Sequence, residues 1–509
     1  MTRSRLIQFA LVVPWLNPFA SGPSSAFLPW LVSLACATLL VFLWRHIRTD
    51  DIPKSWCFAA LVSAVLGLIQ YLGFADSFAP WVNTTAPGEA FANLRQRNQF
   101  ASLTNIGLVA LVWLAGRDGV SKGGWLIVAA ALLAVGNAAS SSRTGLLQLL
   151  MVAVLIAWWG GLRQRGTRKL ILAAGLAYAI ASLALPVMIG REFGGSGILG
   201  RLNDGGAACS SRLILWRNVL DLIALKPWFG WGWGELDYAH FVTLYPGGPD
   251  TRFCEILDNA HNLPLHLAVE LGIPVALAVC GLGAWLILRA KPWLEQDAMR
   301  QLAWGVMAVI MLHSLLEYPL WYGPFQMALG WCVWLLVTTP ARLKCGFTTN
   351  VVEIGVLTGF DGDFDGNFKI IRPLAPVYIS YTAILFIVFI TYAAWDYYRI
   401  SQIYLAPNQR SEAYRDDTLT KIQGSWLFRN QVHFAELTTT PVTAGNAARV
   451  NTMAHGLLHF SPEARVVEKL IDSAVLLGRH DEARFYVARY RVAYPAEYER
   501  WLNAALPAR

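Results

Sequence analysis

The chain has 509 residues, 55% of them hydrophobic and only 15% charged, whereas soluble domains carry about a quarter charged residues. That balance points away from a soluble protein and toward a membrane one. The formal net charge of +8 would suit a nucleic-acid binder, but the basic residues are scattered through short loops rather than gathered in one patch, which argues against nucleic acid.

Crossing a bilayer takes ~20 apolar residues in a helix. Such runs are predicted at 6–20, 26–44, 56–74, 99–115, 124–139, 144–160, 169–189, 263–288, 301–316, 319–339 and 375–395. The first run, Leu6 to Ala20, lacks a small-x-small cleavage site and reads as a retained span rather than a signal peptide. Alternate loops hold the basic residues: Arg3 and Arg5; Arg45, Arg48 and Lys54; Arg117 and Lys122; Arg163, Arg165, Arg168 and Lys169; Arg289, Lys291 and Arg300; Arg342 and Lys344. The opposite short loops have almost none apart from Arg95, Arg97 and Arg143. The positive-inside rule then predicts a cytoplasmic N-terminus and, with about eleven spans, a tail on the outer side. Expected domains are a membrane domain over 1–395, with a long outer loop at about 190–262, and a helical outer domain over 396–509.

In chain order, the first polar stretch on the outer side is "FANLRQRNQF". Arg95, Gln96, Arg97, Asn98 and Gln99 can bind phosphate or sugar hydroxyls through many donors, or simply cap the next span. Arg143 follows in "ASSSRTG" at the outer end of two spans. A guanidinium near hydrocarbon costs up to ~3 kcal/mol on insertion scales, so such residues usually face a cavity or a partner. Serines and Asn137 add donors around it, which favours an anion site over a snorkelling anchor.

The long outer loop holds Cys209 and Cys254, a disulfide pair if the compartment is oxidising. Cys36, Cys57, Cys280 and Cys332 lie in spans, where thiols pack as small apolar groups. In "SRLILWRNVLDLIALKPWFGWGWGEL", Arg212, Trp216 and Leu220 share one face at helical spacing, predicting an amphipathic helix on the outer surface that ends at Lys226-Pro227. The glycines that follow predict a flexible turn where backbone could approach a ligand.

"DNAHNLPLHLAVELG" places His261 between Asn259 and Asn262 at the entrance to an apolar helix. On the residues alone, an outer helix cap explains this cluster. His266, off that face, reads as a packing residue. Farther on, "LHSLLEYPLWY" sets His313 and Glu317 four residues apart on one helix face, either a functional ionisable pair or a structural one. "DGDFDGNFKIIR" begins like a calcium loop with Asp361, Asp363, Asp365 and Gly366, but its twelfth position is Arg372 instead of glutamate, so it reads as a polar turn. No metal-ligand, phosphate-loop or dinucleotide motif is evident, and no cofactor is expected. In the tail, Ser461–Pro495 predicts two amphipathic helices with Ser461 as N-cap, a tetratricopeptide-like hairpin too short to make a solenoid.

Together, "AHNLPLHLAVELG", "SSSRTG" and "SRLILWRNVLDLIALKPWFGWGWGEL" resemble the Wzy/O-antigen-ligase superfamily of bacterial membrane glycosyltransferases. "GEAFANLRQRNQFASLTNIGL" and "HSLLEYPLWYGPF" are similar to its PglL-type protein O-oligosaccharyltransferases, as is the helical tail. The resemblance runs from Gly88 to the end; the first outer loop, "VPWLNPFASGP", lacks the histidine expected there. It implies an all-α, polytopic, GT-C-like fold in the bacterial inner membrane, with the active site on the periplasmic face. It also implies transfer of an oligosaccharide from undecaprenyl pyrophosphate to serine or threonine of exported proteins such as pilin. The superfamily's other branches use lipid A–core or a growing repeat-unit polymer as acceptor. A glycan-lipid flippase or transporter would instead show internal inverted repeats, which are not apparent.

The residues suit that chemistry. An alcohol becomes a useful nucleophile once a base takes its proton, a task for which histidine titrates in the right range. A pyrophosphate leaving group needs charge stabilisation, which arginines supply without titrating and without a metal. The expected roles are His261 as general base, Arg143 and Arg212 as pyrophosphate ligands, and Asn262 as an orienting or sugar-binding group. Arg95–Gln99, His313 and Glu317 are further substrate-binding candidates.

Overall fold

A computed structural model describes residues 2–20, 22–117, 124–190, 209, 211–344, 351–354 and 376–505. The calcium-like stretch Asp361–Arg372 and the loop segment 191–208 lie outside these residues. The chain is a mostly helical, multi-pass membrane protein. Its principal helices are α1 (Arg3–Leu16), α2 (Phe27–Leu43), α3 (Asp51–Tyr71), α4 (Arg97–Ala115), α5 (Trp125–Ala139), α6 (Arg143–Trp158) and α7 (Arg165–Met188). Then come α8 (Arg212–Leu225), α9 (Leu236–Val242), α10 (Leu263–Leu271), α11 (Ile273–Ala290), α12 (Ala298–Ser314), α13 (Gly323–Thr338) and α14 (Pro376–Ser401). The tail adds α15 (Glu412–Arg415), α16 (Thr418–Ile422), α17 (Arg429–Thr439), α18 (Ala447–Leu458), α19 (Ala464–Leu476), α20 (His480–Ala493) and α21 (Pro495–Ala505). One antiparallel ribbon pairs Ala341–Lys344 with Val351–Ile354.

Each predicted span contains a helix, and six described helices are long and apolar enough to cross a membrane, with three shorter apolar ones besides. The segment 263–288 is corrected: it is two helices, α10 and α11, separated at Gly272, whose φ of +88° ends the first. The candidate span therefore begins at Ile273, leaving α10 ahead of it.

The chain divides into two compact units. The first comprises residues 1–20, 24–204 and 285–392. Its most buried span is α4, which packs against α3, α5, α6 and α12. Small residues let these backbones approach: Gly67 faces the Phe100 ring, Gly107 faces Ala60 and Gly136 faces Ala64. In hydrocarbon, where no hydrophobic effect drives helices together, such close packing supplies the attraction. Outer faces are apolar, with Val128, Val154, Leu172 and Leu176 all more than half exposed, as lipid contact requires.

The second unit comprises 21–23, 205–284 and 393–509. These units do not follow the expected division at 395/396, because residues 205–284 group with the tail. The reason is a shared core: Phe241 of α9 is buried with Phe434, Leu457, Leu470 and Tyr490 of the tail helices. Arg489 Nε donates to the Val242 carbonyl at 2.7 Å, and His459 Nδ1 lies 2.6 Å from Glu235 Oε2. The expected tail hairpin is α19 and α20, joined through Gly478 at φ +72°. Its N-cap is Glu463 rather than Ser461, whose hydroxyl donates to the Glu463 carboxylate instead.

Candidate functional site

The helix starts at or beside Arg212, His261 and Arg143 are each capped by the residue before the first helical one. In the second unit, α8 begins at Arg212, with Ser211 Oγ accepting from the Ile214 N–H. Its buried face is Leu215, Asn218, Val219, Leu222 and Ile223, leaving Arg212 half-buried at the first turn. Trp216, one turn on, donates its indole N–H to the Ala260 carbonyl at 3.1 Å. That bond ties α8 to the residue immediately before His261. Asn218 adds a second tie, donating to Thr251 O and accepting from Phe253 N.

His261 sits at the mouth of α10 with φ +50°, a left-handed conformation that costs a non-glycine residue ~1–2 kcal/mol. Asn259, nearly fully buried, holds it there by accepting from the His261 N–H at 2.9 Å. Asn262 is the N-cap of α10, its Oδ1 accepting from Leu265 N at 3.1 Å. The asparagines therefore both cap and constrain, and the strain falls on the histidine between them. The S–S bond between Cys209 and Cys254 closes the same loop, with Cα atoms 5.4 Å apart.

The glycine-rich turn is not the flexible element expected. Trp231 N donates to Val269 O and Gly232 N to Glu270 O, both at 2.9 Å, while Ile273 N donates to Pro227 O at 2.8 Å. The turn clasps the C-terminal end of α10 and satisfies carbonyls that a helix end leaves open. The backbone it approaches is thus this chain's own. A Cβ at Gly272 would strike the Trp228 carbonyl, and one at Gly230 the Glu270 carbonyl. Gly272→Ala should cost at least ~2 kcal/mol, combining left-handed strain with that collision, and appear as a lowered thermal unfolding midpoint of the purified chain.

Beneath His261 lies a buried titratable layer that sequence reasoning missed. His266, 2% exposed, holds Nε2 3.4 Å from Glu270 Oε2, so a carboxyl group lies among its packing neighbours. Burial, and then the neighbouring His261, push His266 down to about 4. Burial pushes Glu270 up to about 7, and Asp258 is also raised by burial, with His261 opposing. Near neutral pH, therefore, the His266 imidazole is uncharged and Glu270 is partly protonated. The signal was available in the i,i+4 spacing of His266 and Glu270.

In the first unit, α6 starts at Arg143, with Ser142 Oγ accepting from Gly145 N at 2.9 Å. Arg143 is exposed while Ser142 and Thr144 beside it are buried. The expected ring of donors around it is corrected for three members. Ser140 Oγ donates to Asn137 O, Ser142 Oγ donates to Asn98 Oδ1, and Asn137 Nδ2 donates to Gly145 O. These groups shape the helix start and leave the guanidinium and the helix N-terminus itself as the positive features.

Asn98 connects this start to the remaining candidates, because its Nδ2 also donates to Glu317 Oε1 at 3.0 Å. His313 is fully buried, with Nδ1 2.9 Å from Ser102 Oγ. Glu317 lies just past the end of α12 at Ser314, and its N–H returns to His313 O one helical turn back. Arg95 donates to Pro18 O, Arg97 pairs with Glu89, Gln96 caps α4 by accepting from Gln99 N, and Gln99 is buried. Most of Arg95–Gln99 thus serves the local fold. Gln148, which bridges Ser102, Asn105 and Val309 O inside the bundle, carried no sequence signal beyond its polarity in an apolar run.

Comparison with known proteins bears on this arrangement. Residues 128–280 match the O-antigen ligase family model, which spans both Arg143 and His261. Residues 90–115 match a protein glycosylation ligase model, and 301–360 with 367–508 match the C-terminal model of a virulence factor membrane-bound polymerase. The chain is 26% identical over 310 residues to a general O-oligosaccharyltransferase of Acinetobacter baylyi, covering 58% of this chain and 52% of that one. It is 24% identical over 308 residues to the ComP-specific O-oligosaccharyltransferase of the same organism, covering 59% and 54%. The alignments span about half the length of these relatives.

Proposed function

Because the chain belongs to the Wzy/O-antigen-ligase superfamily, in its PglL-type branch, we propose that it transfers an oligosaccharide from undecaprenyl pyrophosphate to a serine or threonine hydroxyl of an exported protein, at the periplasmic face of the bacterial inner membrane. The observation that carries this reading is the strained histidine. His261 is held in a left-handed conformation at a helix mouth, and the indole of Trp216 binds the adjoining carbonyl to the helix that Arg212 begins.

His261 takes the proton of the acceptor hydroxyl as its oxygen attacks the anomeric carbon. The bond between that carbon and the pyrophosphate oxygen breaks on the opposite face, so configuration inverts. The departing pyrophosphate retains the bonding electron pair, and its charge is met by Arg143 and Arg212, each at the positive end of a helix. Asn262, already capping α10, steadies the backbone on which His261 is mounted. No step calls on a metal or cofactor.

The match to a polymerase C-terminal model favours a second reading with the same chemistry and a glycan or lipid A–core acceptor. Reconstitution decides between them. The purified chain is supplied with a lipid-linked glycan, a pilin-type protein and lipid A–core together, and products are weighed by mass spectrometry. Sugar on the protein is expected; sugar on lipid alone overturns the protein-acceptor reading.

A further inference from the structure

The first unit encloses a cavity that the transfer chemistry above leaves unused. It holds about 260 Å³ and is lined by Asn93, Arg95, Gln96 and Gln99 together with Tyr318 and Tyr322. Its wall is preformed. Gln70 spends its whole side-chain amide on the turn before α4, donating to Asn83 O and Ala92 O and accepting from Phe91 N and Ala92 N. Asn93 is likewise engaged, donating to Leu16 O and Trp81 O. The turn so held has two left-handed non-glycine residues, Ala92 at φ +50° and Arg95 at φ +61°. Such strain persists only where surrounding structure enforces it, and it gathers at binding sites.

Gln99 differs from these neighbours. Its side chain is 2% exposed, lines the cavity, and makes no hydrogen bond among the described residues; only its backbone N–H is engaged, with Gln96. An amide that faces a cavity and is not bonded to the protein is open to a ligand's donors and acceptors. Across the lining, Tyr318 and Tyr322 are stacked, with ring centroids 6.0 Å apart and planes 22° from parallel. A carboxamide, with two donors and an acceptor, suits vicinal hydroxyls, and aromatic rings suit the C–H face of a pyranose. A nonpolar lipid tail would gain nothing from Gln99. The cavity also adjoins the donor machinery by sequence and bonding, since Asn98, beside Gln99, accepts from Ser142 at the start of the Arg143 helix.

We propose that this cavity is a saccharide subsite that takes one pyranose unit of the lipid-linked glycan, with Gln99 on its hydroxyls and the tyrosine pair on its ring. The assignment rests on the glycan-transfer reading. It is tested by direct binding, which does not depend on transfer. The full-length chain in lipid nanodiscs is titrated with undecaprenyl pyrophosphate bearing the oligosaccharide and, separately, with undecaprenyl pyrophosphate bearing no sugar. Gln99→Leu and Tyr318→Ala should each weaken the glycan-bearing lipid about tenfold, the worth of one well-made contact, and leave the sugar-free lipid unchanged. Equal loss for both lipids, or loss for neither, overturns the subsite. Should Gln99→Leu fail to fold, Tyr318→Ala carries the test alone. Wild-type chain that binds the glycan lipid in preference but modifies no protein would defeat the acceptor assignment and leave the subsite standing.

Discussion

Replacing His261 by alanine is expected to lower the rate of glycan transfer by ~10²–10⁴-fold, the usual contribution of a positioned general base. The residue is half-buried and belongs to no hydrophobic cluster, so expression and the Cys209–Cys254 bond should survive. Alanine changes two things, however: the imidazole is lost, and a residue poorly suited to φ +50° takes its place. His261→Asn separates them, because asparagine tolerates the left-handed region better than most residues. The asparagine variant should be as inactive as the alanine one while unfolding at a higher temperature. Initial rates on a purified acceptor protein, with melting curves of the same samples, provide the comparison. Activity within threefold of wild type for both would remove His261 from the chemistry.

The second large effect concerns the arginines. Arg143→Ala and Arg212→Ala should each reduce kcat by ~10²–10³-fold, as loss of one donor to a developing anion generally does. Neither guanidinium is part of a hydrophobic core, so thermal midpoints should shift little. Lysine at either position keeps the charge but not the planar fork, and should recover only part of the loss. The double variant should fall short of the product of the single effects if both groups serve one pyrophosphate, since groups acting as a unit are not additive. Two full and multiplicative losses would instead indicate separate tasks.

Much of the architecture was legible because bilayer chemistry writes it into composition. Helices that face lipid must be apolar over their length. The candidate residues were legible for a related reason: His261, Arg143 and Arg212 are polar groups at the edges of apolar runs, where a charge needs a purpose. The cap role of Asn262 could be read as well. The hairpin α19–α20 followed from helical periodicity, although its N-cap lies two residues later than the serine that suggested it.

Other features depended on contacts between segments far apart in sequence, which periodicity does not encode. The glycine-rich turn looked flexible because glycine permits many conformations; only the approach of Trp228 and Gly230 to the end of α10 shows which conformation is used. Serines near Arg143 looked like ligand donors until Asn98 and Asn137 were seen to engage two of them and the start of α6. Spacing placed His313 and Glu317 four residues apart, but it could not show that His313 reaches Ser102 and Glu317 reaches Asn98, both on α4. The tail was expected as a helical domain from residue 396, and nothing in its periodicity showed that Phe241 completes its core. Residue chemistry along the chain determined which side chains are costly to place in or beside a membrane, and hence where function should be sought. Tertiary packing decided which of those side chains are consumed by the fold and which, like His261 and Gln99, are held at a strained mouth or in a cavity, because a hydrogen bond is settled by distance in space and not by distance in sequence.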